Sequence, residues 1–140
     1  MTLNGVDISE PTPDLVLLGS VGGVTSLLTN ANYRLTVAAG SLQTRTMYFA
    51  DPGCTGAAGA ESTETGVSTG EILANGGDVF YIPFAAAIDS SFAFESFRGS
   101  SGGCFDVADS ASVWPVLPND PATTGISISD PGTMVIEFQR

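Results

Sequence analysis

The side chains in this chain that could do chemistry are carboxylates, hydroxyls and one pair of cysteines. Fifteen Asp and Glu stand against four Arg, with no His, and the four cations Arg34, Arg45, Arg98 and Arg140 leave no room for Lys. Without histidine there is no Ser–His–Asp triad and no Cys–His dyad, and the commonest metal ligand is missing. Without lysine there is no Schiff base, no Ser–Lys dyad and no lysine to grip a phosphate. Gly66-Val-Ser68-Thr-Gly70 and Gly99-Ser-Ser101-Gly-Gly103 match a nucleophile pattern. That pattern needs a strand–turn–helix setting and a histidine base, so both are discarded. Glycoside hydrolysis by paired carboxylates requires no histidine. Glu95, after the aromatic run Phe92-Ala-Phe94, is the best single candidate, because an apolar setting raises a carboxyl pKa. No second carboxylate is singled out beside it. The expectation is a protein that is not an enzyme.

Binding chemistry is less restricted. Calcium is the metal suited to oxygen ligands alone, and Asp106-Val-Ala-Asp109 followed by Ser110 places two carboxylates close together. The spacing of an EF-hand loop is absent, so no metal-ligand set is named, and calcium stays a possible cofactor. Trp114, Tyr48, Tyr81, Phe97 and Phe105 could build a stacking platform for a glycan, although aromatics of a small β-protein are more often core. Trp114, the single tryptophan, precedes Pro115 and is kept open with Asp106 and Asp109 as a speculative ligand-binding set. Its alternative role is a wedge that pins a long connection over 113–124 to the core. Arg34, Arg45 and Arg98 are too few and too scattered for a polyanion site. A net charge of −11 disfavours nucleic acid and anionic membranes as partners.

Cys54 and Cys104 lie in the Gly-rich stretches Asp51-Pro-Gly-Cys54-Thr-Gly and Ser100-Ser-Gly-Gly-Cys104. Neither belongs to a C-x-x-C pair, so thiolate metal binding is not expected. Two cysteines carried on loops of a small β-rich chain favour a disulfide and an oxidising location; two reduced cysteines that simply pack are the rival reading. Residues 1–10 lack the basic and apolar regions of a signal peptide. Export would then rely on a signal removed from the sequence or on release by lysis, as with a phage particle. The apolar segment 15–28 is too short to span a bilayer and is interrupted by Gly19, Gly22 and Gly23.

The elements that must position these residues are strands. Residues 1–13 read as an extended arm ending in Pro11-Thr-Pro13, and 14–140 as a single β domain. Short strand-like runs are expected at 15–18, 33–38, 45–50, 71–74, 79–84, 92–97, 104–107, 113–117, 125–129 and 134–138. Val79-Phe-Tyr-Ile-Pro-Phe84 is apolar on both alternating faces and should be a central strand covered on both sides. Asp-Pro at 51–52, 120–121 and 130–131, and Asn75-Gly76-Gly77, read as tight turns. Residues 25–32 are expected to make one helical turn, and 56–70 a surface loop. The fold class is all-β: a β-sandwich or small barrel of short antiparallel strands.

Residues 45–126 carry a resemblance. Met47-Tyr-Phe-Ala-Asp-Pro-Gly-Cys54-Thr-Gly56, then Val79-Phe-Tyr-Ile-Pro83, then Cys104, then Val116-Leu-Pro-Asn-Asp-Pro121 and Thr124-Gly125 resemble a small module of bacterial exported proteins and phage-tail-like proteins. Its pattern is an aromatic strand leading to C-x-G, an apolar strand ending in proline, a second cysteine and a P-N-D-P-x-x-T-G tail. The resemblance implies an extracellular or virion-borne module without known catalysis and supplies no active-site residues. The low charged fraction of 14% suits a surface packed against neighbours. The expected function is therefore a structural subunit of an extracellular or virion assembly, such as a phage decoration or tail component or part of a bacterial surface structure. It would form a homo-oligomer or join neighbouring subunits through its arm and sheet edges. The alternative is a carbohydrate or cell-surface recognition module, with calcium as a possible requirement.

Overall fold

In a computed structural model the described residues are 2–3, 6–7, 15–21, 24–38, 41–64, 67–99, 103–128, 131–132 and 136–137. They form an all-β protein. In chain order the strands are β1 (Thr2–Leu3), β2 (Val6–Asp7), β3 (Leu15–Val21), β4 (Val24–Thr29), β5 (Arg34–Ala38), β6 (Ser41–Leu42), β7 (Met47–Asp51) and β8 (Thr55–Glu61). They continue with β9 (Glu71–Asn75), β10 (Asp78–Tyr81), β11 (Asp89–Arg98), β12 (Cys104–Pro118), the short helix α1 (Pro121–Thr124) and β13 (Ile136–Glu137). Of the expected arm, β1 and β2 pair with each other, and β1 also pairs with β13, in a three-stranded antiparallel sheet. Pro11-Thr-Pro13 lies outside the described residues.

The remaining strands form one ladder in the order β11-β7-β8-β12-β10-β9-β5-β4-β3, with β6 on β5. β5 and β9 run parallel; their neighbours in the ladder run antiparallel. The two ends of this ladder differ. At one end β11 pairs with β12 as well as with β7, so β7, β8, β12 and β11 make a closed circuit. At the other end β3 pairs with β4 alone among the described strands.

Two hydrophobic clusters lie on either side of β9 and β10. One gathers Leu27, Leu35, Val37, Ile72, Ala74 and Tyr81; the other gathers Met47, Phe49, Leu73, Ile82 and Val116. Alternation explains the division: Ile72 and Ala74 of β9 enter the first cluster, and Leu73 between them enters the second. Val79 and Tyr81 pack with the first cluster, and Phe80 and Ile82 with the second. Residues 79–82 are thus covered on both sides, as their apolar faces predict, whereas β10 ends at Tyr81 and Phe84 is 52% exposed. Each fully buried Leu or Ile here contributes about 1.5–3 kcal/mol relative to exposure.

Several expectations give way to packing. Residues 25–32 do not form a helical turn. β4 is an extended strand with Leu27 and Thr29 buried, and Asn32 at φ 67° turns the chain into β5. The segment read as a surface loop from residue 56 holds β8. Gly59 there serves packing rather than flexibility, because a Cβ on it would lie 2.3 Å from Val113 Cγ2. The runs at 104–107 and 113–117 are one continuous strand, β12. Residues 125–128 are not a strand, although Ile126 and Ile128 pack on the first cluster. Asp120-Pro121 starts a helix instead of a tight turn. Asn75-Gly76-Gly77 does turn β9 into β10, with both glycines at positive φ.

Candidate functional site

The Asp51–Gly56 turn joins β7 to β8 and is fixed from three directions. Gly53 and Cys54 have φ of 75° and 56°, and the Cys54–Cys104 disulfide ties the turn to the start of β12. The Gly53 N–H donates to Asp106 Oδ1 at 2.8 Å, and the Cys54 N–H donates to Ser96 Oγ at 2.8 Å. Ser96 Oγ in turn donates to the Asp51 carbonyl at 2.6 Å. Asp106 is thus occupied in holding a turn. Asp109 is exposed on β12 and accepts from the Ser110 N–H. Both carboxylates lie on a strand rather than a loop, and β12 carries one extra residue between them relative to β11. Among the described residues no group of three or more Cys, Asp or Glu is placed to hold a metal ion.

The Pro118–Gly125 segment is equally self-contained. Asp120 caps α1 by accepting from the Ala122 N–H, Pro121 occupies the first turn, and Gly125 closes the helix at φ 83°. Thr124 is fully buried and donates to Asn119 Oδ1 at 2.7 Å, while Asn119 Nδ2 donates to the Ile126 carbonyl. Each polar residue of the P-N-D-P-x-x-T-G run has a local structural partner. The P-N-D-P-x-x-T-G run thus forms a capped turn.

The five aromatic candidates separate. Tyr48, Phe97 and Phe105 meet on the β7–β11–β12 surface together with Phe94; Phe97 and Phe105 stack with centroids 5.5 Å apart, and Phe105 is 57% exposed. The Tyr48 hydroxyl donates to Glu61 Oε2. Burial, then that bond and the charges of Glu61 and Glu64, push the phenol up to about 12. Tyr81 is buried in the first cluster. Trp114 sits within β12 opposite Ala60 and packs half-buried against the second cluster. Glu95, the hydrolase candidate, is exposed on β11.

Arg34 and Arg45 come closer together than their spacing suggests. Both line an open basin of about 390 Å³ with Glu71, Gln43, Thr36 and Ser68. Arg45 and Glu71 are each about 5% exposed or less and form an ion pair at 2.9 Å. Glu64 adds a second carboxylate 3.8 Å from Arg45. Burial raises the Glu71 pKa, an effect opposed by the Arg45 hydrogen bond and charge. Arg45 lies just before β7, and its amide donates to the Ala74 carbonyl of β9. Asn75 Nδ2, from the end of β9, donates there to the carbonyls of both Arg45 and Arg98. No motif marks this pair.

The open end of the ladder is the remaining candidate, and it is one for association. From Leu15 through Tyr33 the sequence has no charged residue, in a chain of net charge −11. This neutral run forms β3, β4 and the turn into β5. β3 contains no proline, and Leu18 is a bulge, with Leu17 opposite Leu27 and Gly19 opposite Ser26. Leu18 is 53% exposed and Val24 41%, and with Gly19, Ser26 and Arg34 they line an open groove across the β3–β4–β5 face. An edge strand offers unpaired N–H and C=O groups to another chain. No protein-family model, curated protein or solved structure matches this chain. No helix among the described residues is long and apolar enough to cross a membrane.

Proposed function

We propose that this protein is a non-enzymatic structural subunit of an extracellular or virion assembly, joined to its neighbours through sheet edges and terminal strands. The observation that carries this reading is the contrast between a closed circuit at one end of the ladder and the uncharged β3 edge at the other. Backbone groups along such an edge give affinity without requiring a pocket. The Cys54–Cys104 bond supports an oxidising location, and the lack of His and Lys supports a role without catalysis. Deleting residues 1–13 tests the terminal part of the reading. The fold should persist, by circular dichroism, while particles larger than a dimer disappear in light scattering. Loss of the fold would count against a joining role for this segment.

A second reading, glycan recognition, is favoured by the exposed Phe97–Phe105 stack, since flat aromatic faces suit sugar rings. Calcium would enter it only through Asp106 and Asp109. Retention on a glycan array that Phe105→Ala abolishes would support it; retention by neither protein would remove it.

A further inference from the structure

We infer that a second copy of this chain adds to the edge of β3 that no described strand covers, strand against strand, and that association through this edge stops at two. The inference rests on the assembly reading and specifies one of its contacts. A partner for the edge has to satisfy three conditions set by the molecule.

The first is charge. Two copies that each carry −11 repel over most of their surfaces, and 15–33 is an uncharged stretch where that repulsion is least. A cationic partner would be drawn to the acidic surfaces instead. The second is complementarity across a two-fold axis. Antiparallel self-pairing centred on Leu18 sets Leu15 opposite Val21, Val16 opposite Ser20 and Leu17 opposite Gly19, with no charged residue or proline in the ladder.

The third is closure. An isologous contact uses the same patch on both copies. Because the far end of the ladder is closed by β11 on β12, joining two β3 edges consumes the open end of each copy. The product is a closed pair rather than a growing sheet. Any larger particle would then need a different contact, such as the terminal strands.

Sedimentation velocity on the full chain tests this at rising protein and salt concentrations. The wild type should form a dimer that strengthens with salt, as screening weakens the repulsion between acidic copies. Leu18→Lys should shift it to monomer with an unchanged circular dichroism spectrum. Because L18K lowers the net negative charge, its effect would not come from added repulsion between whole molecules. Leu18→Cys should cross-link the dimer under mild oxidation, since the two-fold register places residue 18 opposite itself. Oligomers that survive both L18K and Val24→Lys but disappear when residues 1–13 are removed would overturn the β3 contact and leave the assembly reading standing. A monomer under every condition would overturn both.

Discussion

The closed β7–β8–β12–β11 circuit and the β3–β4 hairpin belong to one ladder but are stabilised by different means. In the circuit each strand has neighbours on both sides, a disulfide crosses from the β7–β8 turn to β12, and the turn's amides are held by Asp106 and Ser96. The hairpin has one pairing strand, no charge and no cross-link among its described residues. Covalent and polar stabilisation is concentrated where the ladder closes, and uncharged apolar surface where it remains open. Among the described strands, pairing completes one end of the ladder and leaves β3 with a single neighbour at the other.

Breaking the circuit should have the largest effect on stability. Replacing both cysteines (Cys54→Ser with Cys104→Ser) removes a cross-link over 50 positions. The chain-entropy account puts the loss at about 4 kcal/mol, measurable as a lower denaturant midpoint. Glu71→Ala should cost about 3 kcal/mol by removing the 2.9 Å ion pair of the buried Arg45. Gly59→Ala should cost about 1–3 kcal/mol, because Val113 has to move out of the way of the new methyl group.

An alkaline titration sharpens the same contrast. The Tyr48 phenol is held at about 12 in the folded circuit against 10.0 ordinarily. Between those values the unfolded chain releases a proton that the folded chain keeps. Stability should therefore fall as pH rises from about 10 toward 12, and Tyr48→Phe should flatten that slope. On the hairpin, Leu18→Lys should change monomer stability by no more than about 0.5 kcal/mol, the usual range for an exposed position. Its effect should appear in association instead.

The all-β class was legible because β-branched and aromatic runs alternate with Gly, Pro and Asn punctuation, and the two-sided apolar pattern from 79 placed a central strand, though it ends at Tyr81 and not at 84. The same cues misread β8. Gly and Ala there signal close packing against Val113, and local composition cannot distinguish a small residue demanded by a neighbour from one in a loop. β4 was misread because Leu27 and Leu28 in sequence give no information on which face is covered; the answer comes from β5 and β9. The Arg45–Glu71 pair was illegible for a related reason, since residues 26 positions apart meet only through the β5–β9 crossover. The open edge had a sequence sign, the uncharged run from residue 15. Its position at the end of the ladder followed only from the strand order.

Amide hydrogen exchange at several protein concentrations, read by mass spectrometry on peptides covering β3 and β12, compares the two regions within one experiment. Amides of β12 should be equally protected at every concentration. Those of β3 should gain protection as concentration rises, with half-protection tracking the dimer population. Protection of β3 that stays the same from the most dilute sample to the most concentrated would contradict an edge completed by another molecule.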